Sequence, residues 1–264
     1  MTQISHTRRG NGPPIVLVHG LGSRWQVFAP VLDRLAADHE VIALDLPGFG
    51  DSPVEPGVRP GPRGYAEWLT GWLADLDIRD PHVVGSSMGG GIALELGRSG
   101  VARAVTAFSP VGCYGTAGLR WVQGLLTAMR GAAQVAGPVL DRAVEYPAGR
   151  VALLSSMFGR PARVDPAAAR TDLAGLAGAV SFAAARDDFG DYFLRPGDDP
   201  GALTRIPVTI AWGTRDVVLT HRTQSVRARQ ALPFARHIDL PGCGHLPFAD
   251  DPDACLRVIT EGAV

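Results

Sequence analysis

Ser87, Asp216 and His245 have the side chains needed for nucleophilic attack on a carbonyl compound. Ser87 lies at the centre of a Gly-x-Ser-x-Gly pattern at positions 85–89, and Asp216 and His245 follow much later in the chain. A serine hydroxyl is a poor nucleophile until a base takes its proton and a third group orients that base. The order Ser, Asp, His therefore predicts Ser87 as nucleophile, His245 as general base and Asp216 as the acid that orients His245.

Each of the three residues has a simpler interpretation when it is taken alone. Ser87 could belong to an ordinary glycine-rich turn between a strand and a helix, and Asp216 could merely cap a helix that begins near Thr220. His245 could be a loop histidine whose ring is hydrogen-bonded to backbone. The occurrence of all three in this order, each after an apolar run, favours the catalytic interpretation.

The elements around Ser87 predict a sharp turn that exposes its hydroxyl. The apolar run at 82–86 indicates a buried strand, and the residues Gly91–Leu96 indicate a helix that follows at once. Gly85 and Gly89 leave room for a turn that is too tight for larger side chains. A strand, a sharp turn and a helix in this order form a nucleophile elbow, which holds the serine hydroxyl above the edge of the sheet.

A loop earlier in the chain is expected to stabilise the negative charge that develops on the substrate oxygen. An apolar strand is predicted at 14–18, and the residues His-Gly-Leu-Gly at 19–22 follow it. The glycines let the backbone N–H of Leu21 point into the site, and the N–H of Met88 is the second predicted donor of this oxyanion hole. His19 is interpreted as a support for the loop rather than as a base.

Apolar runs alternate with helical patterns, which predicts an α/β fold with a mostly parallel, doubly wound sheet covered by helices on both faces. The strands are predicted near 14–18, 40–44, 82–86, 103–108, 207–212 and 236–240, and one short strand fits around 3–8. The long interval between the fourth and fifth of the main strands carries several helical patterns. We therefore predict a core domain from residues 1–111 and 204–264, with a helical cap inserted at 112–203.

The helical cap is expected to cover the triad and to line a pocket for the acyl group. Leu173, Leu176 and Val180 repeat at helical spacing, and Asp165 followed by Pro166 is typical of a helix start. The side chains predicted to line the pocket are those of Trp121, Met129, Met157, Phe158 and Phe182 from the cap, with Trp25 from the core. Each of the cap residues could instead only hold the cap together.

These motifs resemble those of the α/β-hydrolases that carry a helical cap. The resemblance rests on the segments 19–22, 45–52, 85–89, 213–216 and 244–247, which occur in the family's order over nearly the whole chain. It implies the α/β-hydrolase fold and a serine hydrolase that cleaves a small to medium, mainly apolar carboxylic ester through an acyl-enzyme. One departure is the short stretch before the first predicted strand, which fits a single edge strand in place of the family's usual hairpin.

The same triad in this family also serves C–C bond hydrolysis, thioester or amide cleavage and cofactor-free perhydrolysis, and the sequence leaves these alternatives open. C–C hydrolases share a Gly-Pro-Gly run after the His-Gly pair, whereas positions 20–23 read Gly-Leu-Gly-Ser. Ser87 stands where the dehalogenases and epoxide hydrolases of the fold have an aspartate, which disfavours those activities. A ligand receptor that keeps the triad but turns over slowly is the alternative from another class.

The composition fits a compact enzyme. The chain has 264 residues, 46% of them hydrophobic, and its net charge of −1 lacks the basic excess of proteins that bind nucleic acid or membrane surfaces. All 25 residues of the Lys-plus-Arg total are arginine, which excludes a Schiff-base lysine and a P-loop lysine. We expect a small-molecule ester substrate, no cofactor, no metal, and no nucleic-acid or membrane partner. The oligomeric state stays open.

Apolar runs and cysteine usage predict a cytoplasmic protein. The runs are far shorter than the ~20 residues that a membrane span needs, and no signal-peptide pattern is recognised. Cys113, Cys243 and Cys255 are odd in number and lack CxxC spacing, so free thiols are expected. Three aspartate pairs are interpreted as solvated surface rather than as metal ligands, namely 187–188, 198–199 and 250–251.

Overall fold

One seven-stranded sheet organises the structure, a computed structural model that describes residues 3–262. The strands are β1 (His6–Arg9), β2 (Pro14–Val18), β3 (Glu40–Leu44), β4 (His82–Ser86), β5 (Ala104–Phe108), β6 (Val208–Gly213) and β7 (Arg236–Leu240). Their order across the sheet is β1-β3-β2-β4-β5-β6-β7. Only β1 runs antiparallel to its neighbour, and the other pairs among the described residues are parallel. The prediction of a mostly parallel sheet with one short N-terminal edge strand is confirmed.

Helices cover both faces of the sheet. The helices within residues 3–262 are α1 (Ala29–Leu35), α2 (Pro62–Asp75), α3 (Met88–Arg98), α4 (Thr116–Ala143), α5 (Pro147–Leu154), α6 (Pro166–Gly178), α7 (Phe182–Asp188), α8 (Val226–Ala231), α9 (Pro247–Asp250) and α10 (Pro252–Glu261). Short 3-10 helices lie at Trp25–Phe28, Pro161–Arg163 and Gly201–Arg205, and a π-helical turn lies at His221–Ser225. None of the described helices is long and apolar enough to cross a membrane.

Successive side chains of the central strands serve two different cores. In β2, Val16 and Val18 pack into the core that also holds apolar side chains of α2 and α3. Ile15 and Leu17, which alternate with them, pack into the core shared with α1 and α10. Because side chains of a strand point alternately to the two faces of a sheet, a nearly continuous apolar run produces this double burial. The sheet is therefore buried between two apolar cores.

The chain between β5 and β6 holds the helices α4 to α7, which fall inside the range 112–203 that the sequence predicts for a cap. Helix α6 begins as the Asp-Pro pattern indicates, and the Asp165 side chain accepts a hydrogen bond from the N–H of Ala168 at 3.0 Å. Helix α4 is kinked, with non-helical angles at Ala136. Pro138 lies just beyond this kink, as expected for a residue that lacks an N–H and clashes with the preceding turn. The division into a core and a cap stays a prediction.

The inserted segment has a small core of its own. Its fully buried members come from the end of α4, from α5 and α6 and from the loops between them: Val144, Leu154, Phe158, Val164 and Ala169. Leu246, the residue after the predicted base His245, packs against the same cluster. The inserted helices are therefore in direct contact with the loop that carries His245.

Candidate active site

Ser87 occupies a strained turn between β4 and α3. Its backbone has φ 57° and ψ −114°, a left-handed conformation that costs a residue with a side chain of the order of 1–3 kcal/mol. Its N–H donates to the carbonyl of Phe108 at 2.9 Å, and its own carbonyl accepts from Gly91 and Val111 at 3.2 and 3.1 Å. These hydrogen bonds to the end of β5 and to α3 hold the turn in its strained conformation.

Glycines at 85 and 89 make this turn possible. A Cβ added at Gly85 would overlap the carbonyl oxygen of Gly89, and a Cβ added at Gly89 would overlap the carbonyl oxygen of Val18. Strand, turn and helix are thus packed backbone to backbone at this point. The sequence predicted this local arrangement because it depends on residues close together in the chain.

Asp216 and His245 lie at the ends of neighbouring strands and are hydrogen-bonded to each other. Asp216 follows β6, His245 follows β7, and the distance from His245 Nδ1 to Asp216 Oδ2 is 2.8 Å. The other carboxylate oxygen of Asp216 accepts from the N–H groups of Val218 and Leu219, both at 2.9 Å. With the carboxylate as acceptor, Nδ1 carries the hydrogen and Nε2 is the nitrogen that can take a proton.

Both members of this pair are almost fully buried. Asp216 is 2% exposed and His245 is 3% exposed. A hydrogen bond between a buried carboxylate and an imidazole is stronger than one in water and fixes the orientation of the ring. One carboxylate oxygen of Asp216 accepts two backbone N–H groups, as a helix cap would, and the other oxygen contacts His245. The two interpretations of Asp216 from the sequence, as a cap and as the partner of His245, are therefore compatible.

Ser87 and His245 line the same pocket, which has a volume of about 60 Å³. Gly20 and Leu21, from the loop after β2, line it as well. A Cβ added at Gly20 would lie 2.9 Å from Ser87 Cβ and 3.4 Å from Ser87 Oγ, so this loop backbone approaches the serine closely. The N–H of Met88 belongs to the first turn of α3, where N–H groups have no acceptor within the helix. The predicted oxyanion donors therefore belong to two segments that adjoin the serine.

His19 braces the loop that carries Leu21. Burial lowers the pKa of His19, so its imidazole is neutral and has one donor and one acceptor nitrogen. Nδ1 lies 2.7 Å from the carbonyl oxygen of Gly20, and Nε2 accepts the N–H of Leu46 at 3.0 Å. Both nitrogens are thereby used by backbone groups. This geometry agrees with the interpretation of His19 as a support.

The apolar wall of the pocket contains three of the predicted residues, Met129, Met157 and Phe158. The remaining apolar side chains of the wall are those of Leu126, Leu154, Leu173, Leu176 and Leu246. Leu173 and Leu176 show helical spacing in the sequence, but that spacing does not reveal which face of a helix meets the serine. Asp172 also lines the pocket, and it was not identified from the sequence. The signal that could have found it is its position as an acidic residue directly before the apolar helical stripe that begins at Leu173.

Three residues predicted to line the pocket lie elsewhere. Trp121 is 51% exposed, and its indole N–H donates to the carbonyl of Val217 at 2.8 Å on the outside of the inserted segment. Phe182 is buried in the main core, with the guanidinium of Arg130 5.0 Å from its ring centre. Neither residue lines the pocket beside Ser87, because helix packing turns one outward and buries the other.

Trp25 is the third residue outside the pocket lining. It begins the 3-10 helix at Trp25–Phe28 and packs against the core shared with α1 and α10. Its backbone N–H donates to Asp45 Oδ1 at 2.8 Å, while Asp45 Oδ2 accepts the N–H of Asp51 at 3.0 Å. Asp45 therefore ties the chain after the His-Gly loop to the segment 45–52, and Trp25 contributes to that tie.

Asp250 corrects the interpretation of the aspartate pairs as solvated surface. It is 5% exposed and accepts hydrogen bonds from the N–H groups of Gly159, Arg160 and Gly244. Three backbone donors from two distant segments explain why an acid can be buried here. Among residues 3–262, no group of three or more His, Cys, Asp or Glu side chains is arranged to hold a metal ion.

All three cysteines are free and buried. Burial raises the pKa of the Cys113 thiol to about 12 and that of the Cys243 thiol to about 11. These groups are therefore neutral thiols at physiological pH and weak nucleophiles. Cys243 lies two residues before His245, so it contributes to the packing of that loop.

Comparison with known proteins gives a family match over most of the chain. A family model described as the alpha/beta hydrolase family matches residues 15–258. An uncharacterized protein of Mycobacterium tuberculosis is 29% identical over 269 residues, covering 95% of this chain and 75% of that protein. A pimeloyl-[acyl-carrier protein] methyl ester esterase of Aeromonas salmonicida is 37% identical over 93 residues, covering 35% of each chain.

Solved structures of the same fold superpose over nearly the whole chain. A thermophilic esterase from Thermogutta terrifontis gives a TM-score of 0.74 at 21% identity, covering 98% of this chain and 92% of that one. The enol-lactonase from Burkholderia xenovorans LB400 gives a TM-score of 0.72 at 19% identity. This match covers 98% of this chain and 96% of that one. At such identities the likeness concerns the fold.

Proposed function

The chain belongs to the alpha/beta hydrolase family, and on that basis we propose that it is a serine hydrolase that cleaves a small to medium, mainly apolar carboxylic ester. The observation that carries the proposal is that Ser87 and His245 share one pocket while His245 is hydrogen-bonded to the buried Asp216. A nucleophile, a base and an orienting acid are the parts that activate a serine. The apolar pocket wall supports an apolar acyl group.

The proposed reaction begins with attack of Ser87 Oγ on the ester carbonyl carbon. His245 Nε2 takes the hydroxyl proton, and the carbonyl π electrons move to the oxygen, which the N–H groups of Leu21 and Met88 stabilise. Collapse of this intermediate breaks the bond to the alcohol, which leaves with the proton from His245. Asp216 holds the imidazole orientation and stabilises the imidazolium that forms in between.

Water completes the cycle. His245 takes a proton from a water molecule that attacks the acyl-enzyme carbonyl, and the second intermediate collapses to a carboxylic acid and free Ser87, whose oxygen regains a proton from His245. Apolar side chains of the inserted segment line the pocket, and such a lining limits contact with bulk water and so strengthens the electrostatic interactions in the site. The oxyanion donors are main-chain groups, so their contribution is measured by inhibitors that mimic the tetrahedral intermediate and not by side-chain substitution.

Steady-state turnover of p-nitrophenyl esters from acetate to octanoate tests this function. We expect saturable hydrolysis above the buffer rate, an optimum at short or medium chains, and full loss of activity after labelling with a fluorophosphonate. A protein that binds such esters without turnover, and that resists the fluorophosphonate, would be a receptor and not a hydrolase. Parallel assays with thioester and amide analogues of the best acyl group determine which bond is preferred.

A further inference from the structure

Asp172 places a carboxylate in the otherwise apolar wall that the inserted segment contributes to the pocket. It lies on α6, directly before Leu173 and one turn before Leu176, which line the same pocket. Within residues 3–262 its carboxylate has no hydrogen-bond or ion-pair partner. A carboxylate in such surroundings costs free energy unless something donates a hydrogen bond to it.

Arg24 is the cation that acts on Asp172, but its ion pair is with Asp51 and not with Asp172. Arg24 Nη2 lies 2.7 Å from Asp51 Oδ1, and the aliphatic part of Arg24 passes along α6 close to Gly175. Burial raises the pKa of the Asp172 carboxyl to about 7, against the opposing influence of Arg24. The ion pair with Asp51 therefore leaves Asp172 without a direct partner and available to a ligand.

A second space begins where the catalytic pocket ends. An apolar groove of about 390 Å³ lies between the inserted segment and the core, and Phe158, Asp172 and Leu246 line both spaces. The catalytic pocket, at about 60 Å³, is much smaller than this groove. A longer acyl chain must leave this pocket, and Asp172 stands at the boundary with the groove.

We infer that Asp172 is a specificity-determining residue, which accepts a hydrogen bond from a hydroxyl or amine on the acyl chain and disfavours chains that carry a carboxylate. This inference rests on the proposed hydrolase function. A hydroxyl or ammonium group at the boundary satisfies the unpaired carboxylate, whereas a second carboxylate there meets like charge in an apolar setting. The substrate class is thus an ester whose acyl chain is apolar apart from one hydrogen-bond donor.

Four ethyl esters of similar size test this specificity: ethyl hexanoate, ethyl 3-hydroxyhexanoate, ethyl 6-hydroxyhexanoate and monoethyl adipate. Hydrolysis is followed by proton release at pH 8, where the Asp172 carboxylate is charged. For the wild type we expect kcat/KM for at least one hydroxy ester to exceed that for ethyl hexanoate by roughly 10- to 100-fold, the range for hydrogen bonds to charged groups. Monoethyl adipate should be cleaved more slowly than ethyl hexanoate.

Asp172→Leu should abolish the preference for the hydroxy ester, and Asp172→Asn should restore cleavage of monoethyl adipate to near the rate of ethyl hexanoate. Asp187→Asn is the matched control, since it removes an exposed carboxylate of the inserted segment that lines neither the pocket nor the groove. The control should keep the wild-type ranking of the four esters. Fluorophosphonate labelling and melting temperature establish that each variant is folded with an intact serine.

The result that overturns the inference is a wild type that hydrolyses ethyl hexanoate at least as well as both hydroxy esters. A hydroxy-ester preference that persists in Asp172→Leu overturns it equally. Neither result affects the proposed function, because turnover of ethyl hexanoate would still demonstrate a hydrolase. Loss of all turnover in the wild type, with no fluorophosphonate adduct, would instead contradict the proposed function itself.

Discussion

The carboxylate of Asp250 accepts a hydrogen bond from the N–H of Gly244, the residue immediately before His245, at 2.8 Å. The same oxygen accepts the N–H of Gly159 at 2.7 Å, and the other oxygen accepts the N–H of Arg160 at 2.7 Å. One buried side chain therefore joins the loop of the proposed base to the inserted segment. The position of His245 depends on how these two parts of the chain are held together.

Asp250→Ala is expected to destabilise the protein by roughly 3–5 kcal/mol, because three backbone donors lose their acceptor in a buried site. Ester turnover should fall as well, since the loop of His245 loses its anchor. Urea denaturation and kcat measure the two effects. Asp253→Asn is the control, because Asp253 is 69% exposed and pairs with Arg34 at the surface, where an ion pair contributes about 0–1 kcal/mol. Equal urea midpoints for the two variants would disprove the anchoring role.

Ser87→Ala should reduce kcat by about 10⁴- to 10⁶-fold and leave a residual rate from the oxyanion hole and binding. A fluorophosphonate should form one adduct, on the peptide that contains Ser87, and mass spectrometry locates it. Ser86→Ala is the matched control, since the Ser86 hydroxyl is buried in the strand without a hydrogen-bond partner among the described residues. The control should be labelled like the wild type. An adduct that survives Ser87→Ala would point to another nucleophile.

Asp216→Asn should keep the fold but lower kcat by roughly 10³- to 10⁴-fold, because an amide cannot hold the required imidazole tautomer. Asp239 offers a control of the same kind, as its carboxylate contacts His221 Nε2 at 3.0 Å on the surface. Asp239→Asn should leave kcat unchanged. The two variants are compared by ester turnover and by melting temperature. Near-normal turnover of Asp216→Asn would show that a different carboxylate orients the base.

Phe158→Ala should extend the preferred acyl chain of the ester series. Phe158 lines both the catalytic pocket and the adjacent groove, so its removal is expected to open one into the other. Each methylene of improved fit is worth ~1–3 kcal/mol, which predicts changes of about 10- to 200-fold for the longer esters. Stability should fall by about 3–5 kcal/mol, as for other buried phenylalanines. Trp121→Ala is the control, because Trp121 lies outside the pocket, and it should leave the chain-length profile unchanged. An unchanged profile for Phe158→Ala as well would contradict the placement of Phe158 at the boundary between the pocket and the groove.

Folding stability should decrease in mildly acidic solution because of His82. Burial lowers the pKa of His82 to about 3, whereas the value in an unfolded chain is 6.5. Between these values the unfolded state binds a proton that the folded state does not. The free energy of unfolding therefore falls as the pH drops below about 6.5, by roughly 2 kcal/mol at pH 5 from this group alone.

His82→Gln should lose this part of the pH dependence, since a glutamine side chain does not titrate. Urea denaturation at pH 8 and pH 5 measures it, with the exposed His6→Gln as control. The NMR signals of the His82 ring give a measurement that is independent of any substitution, and they should report a neutral imidazole at pH 5. A protonated His82 ring at pH 5 in the folded protein would contradict the prediction.

The sheet and the turn at Ser87 could be predicted because their causes are local. The strand at 82–86, the glycines on either side of Ser87 and the helix from Met88 are adjacent in sequence, and steric exclusion around Cα decides their conformation. Asp216 and His245 could be identified because each directly follows an apolar strand, and the carboxyl ends of parallel strands meet at one edge of a sheet.

The sequence by itself thus determined the sheet, the elbow and the three side chains proposed to do the chemistry. The tertiary structure alone decided which face of each inserted helix meets Ser87: it turned Trp121 outward, buried Phe182 and placed Asp172 in the pocket. It also decided that Asp250 is buried. Helical periodicity gives a stripe of side chains but not its partner, because the partner depends on how distant segments pack.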